Sequence, residues 1–241
     1  MDHTDRALED LIHQLRGPLS ATLFKLNSLL ARRTPTGIDD ELRVIRGLCR
    51  KANQVAAGAG IFKLLHAGGD TLSLDRRLIR ASELIKLLIE CAADTQLLLD
   101  PLRGIRVKVD RHIPEEIDLW ADPSLLEQAV SCLLDNAAKY SYPHSTIVVS
   151  AKEARKHVRI DVMNSGIVIK SDECQPALQR GWRGEMAQMV TAEGTGLGLW
   201  VAHQIMLAHG GSAEVAPTTS DGMTHIGLLF PMDISHAHTD R

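Results

Sequence analysis

The chain has 241 residues, a net charge of −3, 44% hydrophobic residues and only 3% aromatic ones. That balance supports a core of aliphatic side chains in one or two domains, and the lack of a long basic block argues against a nucleic-acid partner. No apolar run reaches the roughly 18 residues a membrane span needs, the opening MDHTDRALED is too polar for a signal peptide, and the scattered Cys49, Cys91, Cys132 and Cys174 lack the spacing of a zinc or disulfide framework, which fits a reducing cytoplasm.

Residues 5 to about 33 read as one amphipathic helix. Leu8, Ile12, Leu15, Leu19, Thr22, Leu26 and Leu29 recur in steps of three and four, the seam of a helical hairpin. Thr34-Pro35-Thr36-Gly37 breaks it. A second helix runs from about Asp39 to Leu65, with Leu42, Ile45, Cys49, Ala52, Val55, Ala59 and Phe62 on its apolar face. Two such helices bury little alone, so pairing with a second copy into a four-helix bundle is expected. The hinge is placed at His66–Asp70.

The texture then changes. Thr71–Leu74 reads as a short strand, Ile79–Leu99 as a helix ended by Asp100-Pro101 and Gly104, and Ile105–Val109 as an alternating strand. After a short strand at Ile117–Trp120, Asp122-Pro123 starts a helix well, with a capping carboxylate followed by proline, and that helix runs to about Tyr140. Thr146–Ala151 and His157–Met163 are strands. From Gly166 into the 190s the sequence is polar and irregular. A glycine run then leads into a helix reaching Ala208, stopped by Gly210-Gly211, and Ser212–Ala216 and Met223–Phe230 form a last strand pair. The expected fold class is α+β: a helical hairpin over 1–68, an α/β sandwich over 69–234 and a disordered tail over 235–241.

The chemistry concentrates in three stretches. Gly194-Thr195-Gly196-Leu197-Gly198-Leu199 is a flexible loop entering an apolar helix. Such a loop lets a ligand approach the backbone, and the helix start offers unpaired N–H groups to an anion. The helix from Asp122 carries Asp135-Asn136-Ala137-Ala138-Lys139-Tyr140, and the strand from His157 ends in Asn164-Ser165-Gly166. Asn136 offers an amide oxygen suited to Mg²⁺, and Lys139 a point charge suited to phosphate. Asn136 read as a buried, hydrogen-bonded amide and Lys139 as a solvated helix end remain open at this point. The chain lacks GxxxxGK[ST] and the GxGxxG spacing of a dinucleotide fold.

LLDNAAKYS, NSG and GTGLGLW, in that order, resemble the N, G1 and G2 boxes of the histidine-kinase ATPase domain. Ile12-His13-Gln14-Leu15-Arg16-Gly17-Pro18 is similar to the same family's H box. The resemblance spans residues 5 to 231 and implies a Bergerat-type ATP-binding sandwich behind a phosphotransfer hairpin. It also implies ATP and Mg²⁺ as cofactors, with Asn136 as the metal ligand and Lys139 and Tyr140 at the nucleotide. Asn164 would accept from the adenine amino group, Gly166 would let the base approach, and Gly194, Gly196 and Gly198 would cradle phosphate, with Thr195, Leu197 and Leu199 in the same turn. Arg180 and Arg183 would act from a lid over about 175–193. His13 would be the phosphoacceptor. It lies beside the apolar seam, and Pro18 removes the helical hydrogen bond to Gln14 and loosens the helix next to it.

The implied activity is autophosphorylation of His13 in a cytoplasmic homodimer, then transfer to an aspartate of a response-regulator receiver domain. No sensory domain is legible, which points to a separate input protein or to a piece of a longer chain. The sequence departs from the family at Gln14, where an acid usually stands, at Gly17, where Thr or Asn does, at Asn164 for Asp and at Val168 for glycine. These departures keep a second reading in play, a non-catalytic phosphotransfer or scaffold protein. Cys132, four residues before Asn136, disfavours a third, a water-activating ATPase.

Overall fold

The computed structural model describes residues 44–45, 47–48, 52, 72–110, 112–114, 117–154, 156–191 and 194–232. The expected hairpin with its dimer seam, His13, Gln14, Gly17, the hinge at 66–70 and the tail at 235–241 lie outside the described residues, apart from Val44, Ile45, Gly47, Leu48 and Ala52, which are helical.

The rest is an α/β sandwich. In chain order it comprises β1 (Arg77–Arg80), α1 (Ala81–Leu98), β2 (Arg106–Val109), β3 (Asp118–Ala121), α2 (Pro123–Tyr140), β4 (Thr146–Ala154) and β5 (His157–Ser165), followed by α3 (Glu185–Val190), α4 (Gly198–Ala208), β6 (Ser212–Val215) and β7 (Met223–Pro231). The main sheet is ordered β2-β4-β5-β7-β6. Its β2–β4 pair is parallel and the others are antiparallel. A separate antiparallel pair joins β1 to β3.

Period-two alternation sets which face is buried. Ile147, Val149 and Ala151 of β4, Val158, Ile160 and Val162 of β5, and Ile226, Leu228 and Phe230 of β7 all belong to the core. From the helices come Leu84 and Leu88 of α1, Leu126, Val130, Leu133 and Leu134 of α2, and Trp200, Val201, Ile205 and Met206 of α4. The opposite face of the sheet carries ions. Arg159 donates to Asp161 at 2.7 Å and to Glu214 at 2.5 Å. This layer needs Gly227 on β7, where a Cβ would meet the Arg159 guanidinium at 2.6 Å and Asp161 Oδ1 at 2.8 Å.

The helix ends follow their residue chemistry. The Asp122 carboxylate accepts from the backbone N–H of Ser124 at 2.9 Å and of Leu125 at 3.1 Å, and Pro123 occupies the first turn of α2. Helix α4 stops in a Schellman arrangement, with Gly210 N–H donating to Leu207 O, Gly211 N–H donating to Met206 O, and Gly210 at φ +76°.

Two expectations are corrected at the entry to the sandwich. Residues 72–76 form no strand: Asp75 N–H donates to Asp122 Oδ2 at 3.0 Å, and Arg76 reaches Ala208 O at 2.7 Å. The strand begins instead at Arg77, and Ile79, expected in a helix, pairs with Leu119 on β3. Burial of Ile79 against α1 and α2 overrides its place in a helical pattern. Helix α3, inside the stretch expected to be irregular, is six residues long. Its first helical bond runs from Gln188 N–H to the N-cap carbonyl of Gly184, and it is closed from outside by Arg183 Nη2 on the carbonyls of Ala187 and Thr191. Among the described residues no helix is long and apolar enough to cross a membrane.

Candidate functional site

The C-terminal end of α2 meets the end of β5, and the start of α4 lies beside α2 at Cys132. Ser141 bridges to Gly166, Tyr142 N–H donates to Ser165 O at 3.0 Å, and Ile167 N–H donates to Tyr140 O at 3.2 Å. A Cβ on Gly166 would fall inside contact distance of the Tyr140 carbonyl oxygen and 2.7 Å from Asn164 Nδ2. Glycine is required there because two backbones and an amide converge. The sequence suggested close approach of a base; the structure adds close approach of α2 itself.

Asn164 is buried, at 4% exposure, and its side chain makes no hydrogen bond with the described residues. The Ser141 hydroxyl is also buried without a partner among them. Leaving such groups bare costs free energy. A ligand with a polar edge fits the orphaned Ser141 hydroxyl. Asn136 is half-buried on α2, and its amide is likewise not engaged by the described residues.

Lys139 forms a 2.7 Å ion pair with Asp135 one turn back. Burial pushes its pKa down, but the Asp135 charge and hydrogen bond outweigh that and the net shift is upward. The ammonium therefore stays charged, held by a carboxylate that an incoming phosphate would have to replace. Cys132, one turn before Asn136, has its thiol pushed up to about 12, first by burial and then by the Asp135 charge. It is neutral at any physiological pH and can act neither as a base nor as a thiolate ligand.

The glycine loop packs against the preceding lid segment. Gly181 N–H donates to Gly196 O at 3.2 Å. Gly196 sits at φ +66°, where a Cβ would lie 2.5 Å from Trp182 O and 2.7 Å from Gly181 C. At Gly194 (φ +136°) a Cβ would lie 3.6 Å from the Arg183 guanidinium carbon. Leu197 precedes α4 without a side-chain cap, so the N–H groups of Gly198 and Leu199 are left for another acceptor. Gly198 opens α4 beside α2, its Cβ position 4.0 Å from Cys132 O. Thr195 and Leu197 are half-buried in the same turn, and Leu199 packs on the core.

Arg183, expected to face phosphate, spends its guanidinium on the carbonyls closing α3, with Thr191 O at 2.6 Å. Arg180 is exposed on the same segment. Sequence reasoning missed Ser141, which follows Tyr140 directly, and Arg103. The Arg103 guanidinium donates to Ala138 O at 2.7 Å and to Ser141 O at 2.5 Å. Nothing in the linear pattern links a residue between α1 and β2 to the end of α2.

An uncapped helix start behind a left-handed glycine turn, unengaged amides and a half-buried, ion-paired lysine fit a nucleotide-binding α/β sandwich. Residues 121–234 match the family described as histidine kinase-, DNA gyrase B-, and HSP90-like ATPase. Residues 121–234 thus carry an ATPase domain of the kind that family describes. It is 34% identical over 126 residues to the sensor protein CzcS of Cupriavidus metallidurans, covering 52% of this chain and 26% of that one. It is 28% identical over 245 residues to the sensor histidine kinase Hik2 of Thermosynechococcus vestitus, covering 96% of this chain and 60% of that one. Among solved structures, a mycobacterial sensor histidine kinase, MprB, superimposes with a TM-score of 0.51 at 25% identity, covering 65% of this chain and 97% of that one. The chain thus spans between about a quarter and three-fifths of the length of these two curated relatives.

Proposed function

We propose that this chain is an ATP-dependent protein-histidine autokinase of a two-component pathway. In this reading the γ-phosphoryl group of ATP passes to His13, and from there to an aspartate on a response-regulator receiver domain. The observation that carries the proposal is the meeting of the end of α2 with the end of β5 and of α2 with the start of α4, with the Ser141 hydroxyl unpartnered and Gly196 in a left-handed turn. Relatives named as sensor histidine kinases support the same reading.

The residues divide the work as follows. Asn164 offers an amide oxygen to the adenine amino group, and Gly166 leaves the space for the base beside it. The N–H groups at the start of α4, presented by Gly194–Leu199, receive phosphate oxygens. Lys139 exchanges Asp135 for phosphate. Asn136 would hold Mg²⁺ through its amide oxygen; that ion, when bound, screens phosphate charge. Arg180 and Arg183 stand on the lid, and freeing Arg183 for phosphate requires α3 to give up its closing contacts. Cys132 provides no base for water, so the reading favours transfer to a side chain over hydrolysis. Autophosphorylation takes place in a cytoplasmic homodimer formed through the N-terminal helices, with input from a separate protein or from a further segment.

The test is incubation with γ-labelled ATP and Mg²⁺, comparing the native chain with His13→Ala. Acid-labile label that depends on His13 is expected. Tight ATP binding without label would sink the autokinase and favour the phosphotransfer or scaffold reading, which Gln14 and Gly17 invite.

A further inference from the structure

We propose that Arg103 is a positioning residue for the nucleotide site, acting through the last turn of α2. The inference rests on the nucleotide-site reading above and names a residue that reading does not use.

A helix leaves its last carbonyls without intrahelical donors. At the end of α2, Ser141 N–H still donates to Ala137 O, but the next amide, Tyr142 N–H, turns away to Ser165 O on β5. That turn is what brings Tyr140 against Gly166, and it strips Ala138 O of its expected donor. Arg103 supplies the donor, Nη1 to Ala138 O at 2.7 Å, while Nη2 reaches Ser141 O at 2.5 Å. The two carbonyls bracket Lys139 and Tyr140. A planar guanidinium spans them with two N–H groups in a fixed fork, and its charge opposes the negative end of the helix.

The clamp is itself held from behind. Arg103 lies in a short 3₁₀ turn, Pro101–Arg103, capped by Asp100, whose side chain accepts from Leu102 N–H. The Arg103 carbonyl accepts from His144 N–H at 2.8 Å. Gly104, at φ +61°, lets the His144 ring come so close that a Cβ would meet Nδ1 at 2.5 Å. The segments on either side of α2 are therefore locked to each other, and the guanidinium crosses between them. Arg103 touches no predicted ligand group; its effect travels through where Lys139 and Tyr140 are placed.

The test is equilibrium binding of a non-hydrolysable ATP analogue with Mg²⁺ to the full chain. It compares Arg103→Met, which keeps the apolar stem, Arg103→Lys, which can reach one carbonyl, and each of them combined with Lys139→Ala. Arg103→Met is expected to raise Kd about tenfold and Arg103→Lys to recover part of that, because one ammonium replaces half the fork. In the Lys139→Ala background Arg103→Met is expected to cost less than about threefold, the remainder that passes through Tyr140, since the Lys139 part of its route has gone. An unchanged Kd in Arg103→Met, or the same loss in both backgrounds, overturns the inference; equal losses would mark a general structural role. A native chain that does not bind the analogue overturns the nucleotide-site reading instead.

Discussion

Replacing Gly196 with alanine isolates the requirement at the phosphate loop. The residue sits at φ +66°, a conformation that costs an L-residue about 1–2 kcal/mol. The added Cβ would also lie 2.5 Å from Trp182 O and 2.7 Å from Gly181 C, both rigid backbone atoms. The loop can escape only by moving away from the lid, which breaks the Gly181 N–H bond to Gly196 O, worth about 0.5–1.5 kcal/mol. The sum is about 1.5–3.5 kcal/mol charged to the binding conformation, or roughly 10- to 400-fold in nucleotide affinity. Gly222 provides the control. Its φ is +79° and no atom lies within 4 Å of its Cβ position. Gly222→Ala therefore pays the backbone cost without the clash, lowering Tm by about 2–8 °C and leaving affinity unchanged. Calorimetric titration with Mg²⁺ and a non-hydrolysable ATP analogue, alongside thermal melts, reads both. Native affinity in Gly196→Ala would refute the assignment of this loop to the nucleotide.

Further outcomes are expected elsewhere. His209 is buried, its Nε2 accepting from Asp122 N–H at 3.1 Å and its Nδ1 bonded to Ile205 O at 2.8 Å, so the ring is held neutral. Burial first, and Arg76 in addition, lower its pKa, against opposing contributions from Ile205 O and Asp122. The unfolded chain then binds more protons, and the His209 contribution is present above about pH 6.5 and lost as pH falls through the folded value, by at most about 1.4 kcal/mol per pH unit. Melts between pH 7.5 and 5 should therefore fall less steeply for His209→Gln than for the native chain, and parallel curves would count against this linkage. Leu133→Ala, at a fully buried position, is expected to cost about 2–5 kcal/mol by denaturant titration; a loss below ~1 kcal/mol would mean that α2 packs differently. Gly227→Val should displace Arg159 from the buried Asp161 and destabilise the sheet by about 1–3 kcal/mol while nucleotide affinity in the folded fraction holds. A fall in affinity matching that in stability would mean that the outer ion layer is coupled to the site.

Much of this was legible in the linear chain because it is local. Asp122-Pro123 caps α2 through its own next amides, Gly210-Gly211 ends α4 within one turn, and the alternation in β4, β5 and β7 assigns the faces of the sheet. The order of the nucleotide boxes could likewise be read, since each is a short run whose residue types carry the chemistry. What failed or stayed hidden is non-local. Ile79 reads as helical until β3 pairs with it, and α3 has no strong local signal and is closed by Arg183.

The amino-acid sequence by itself determined which groups the candidate site contains: Asn136, Lys139, Asn164 and the glycines of 194–198. Tertiary structure alone decided how they are held. Gly166 is pressed against the end of α2, Lys139 is paired to Asp135, Arg183 is turned onto α3, and Arg103 is brought across from the far side of α1. The reason is physical. Residue type fixes what an atom can donate or accept, but where a helix end finds its missing donor depends on chain segments tens of residues away.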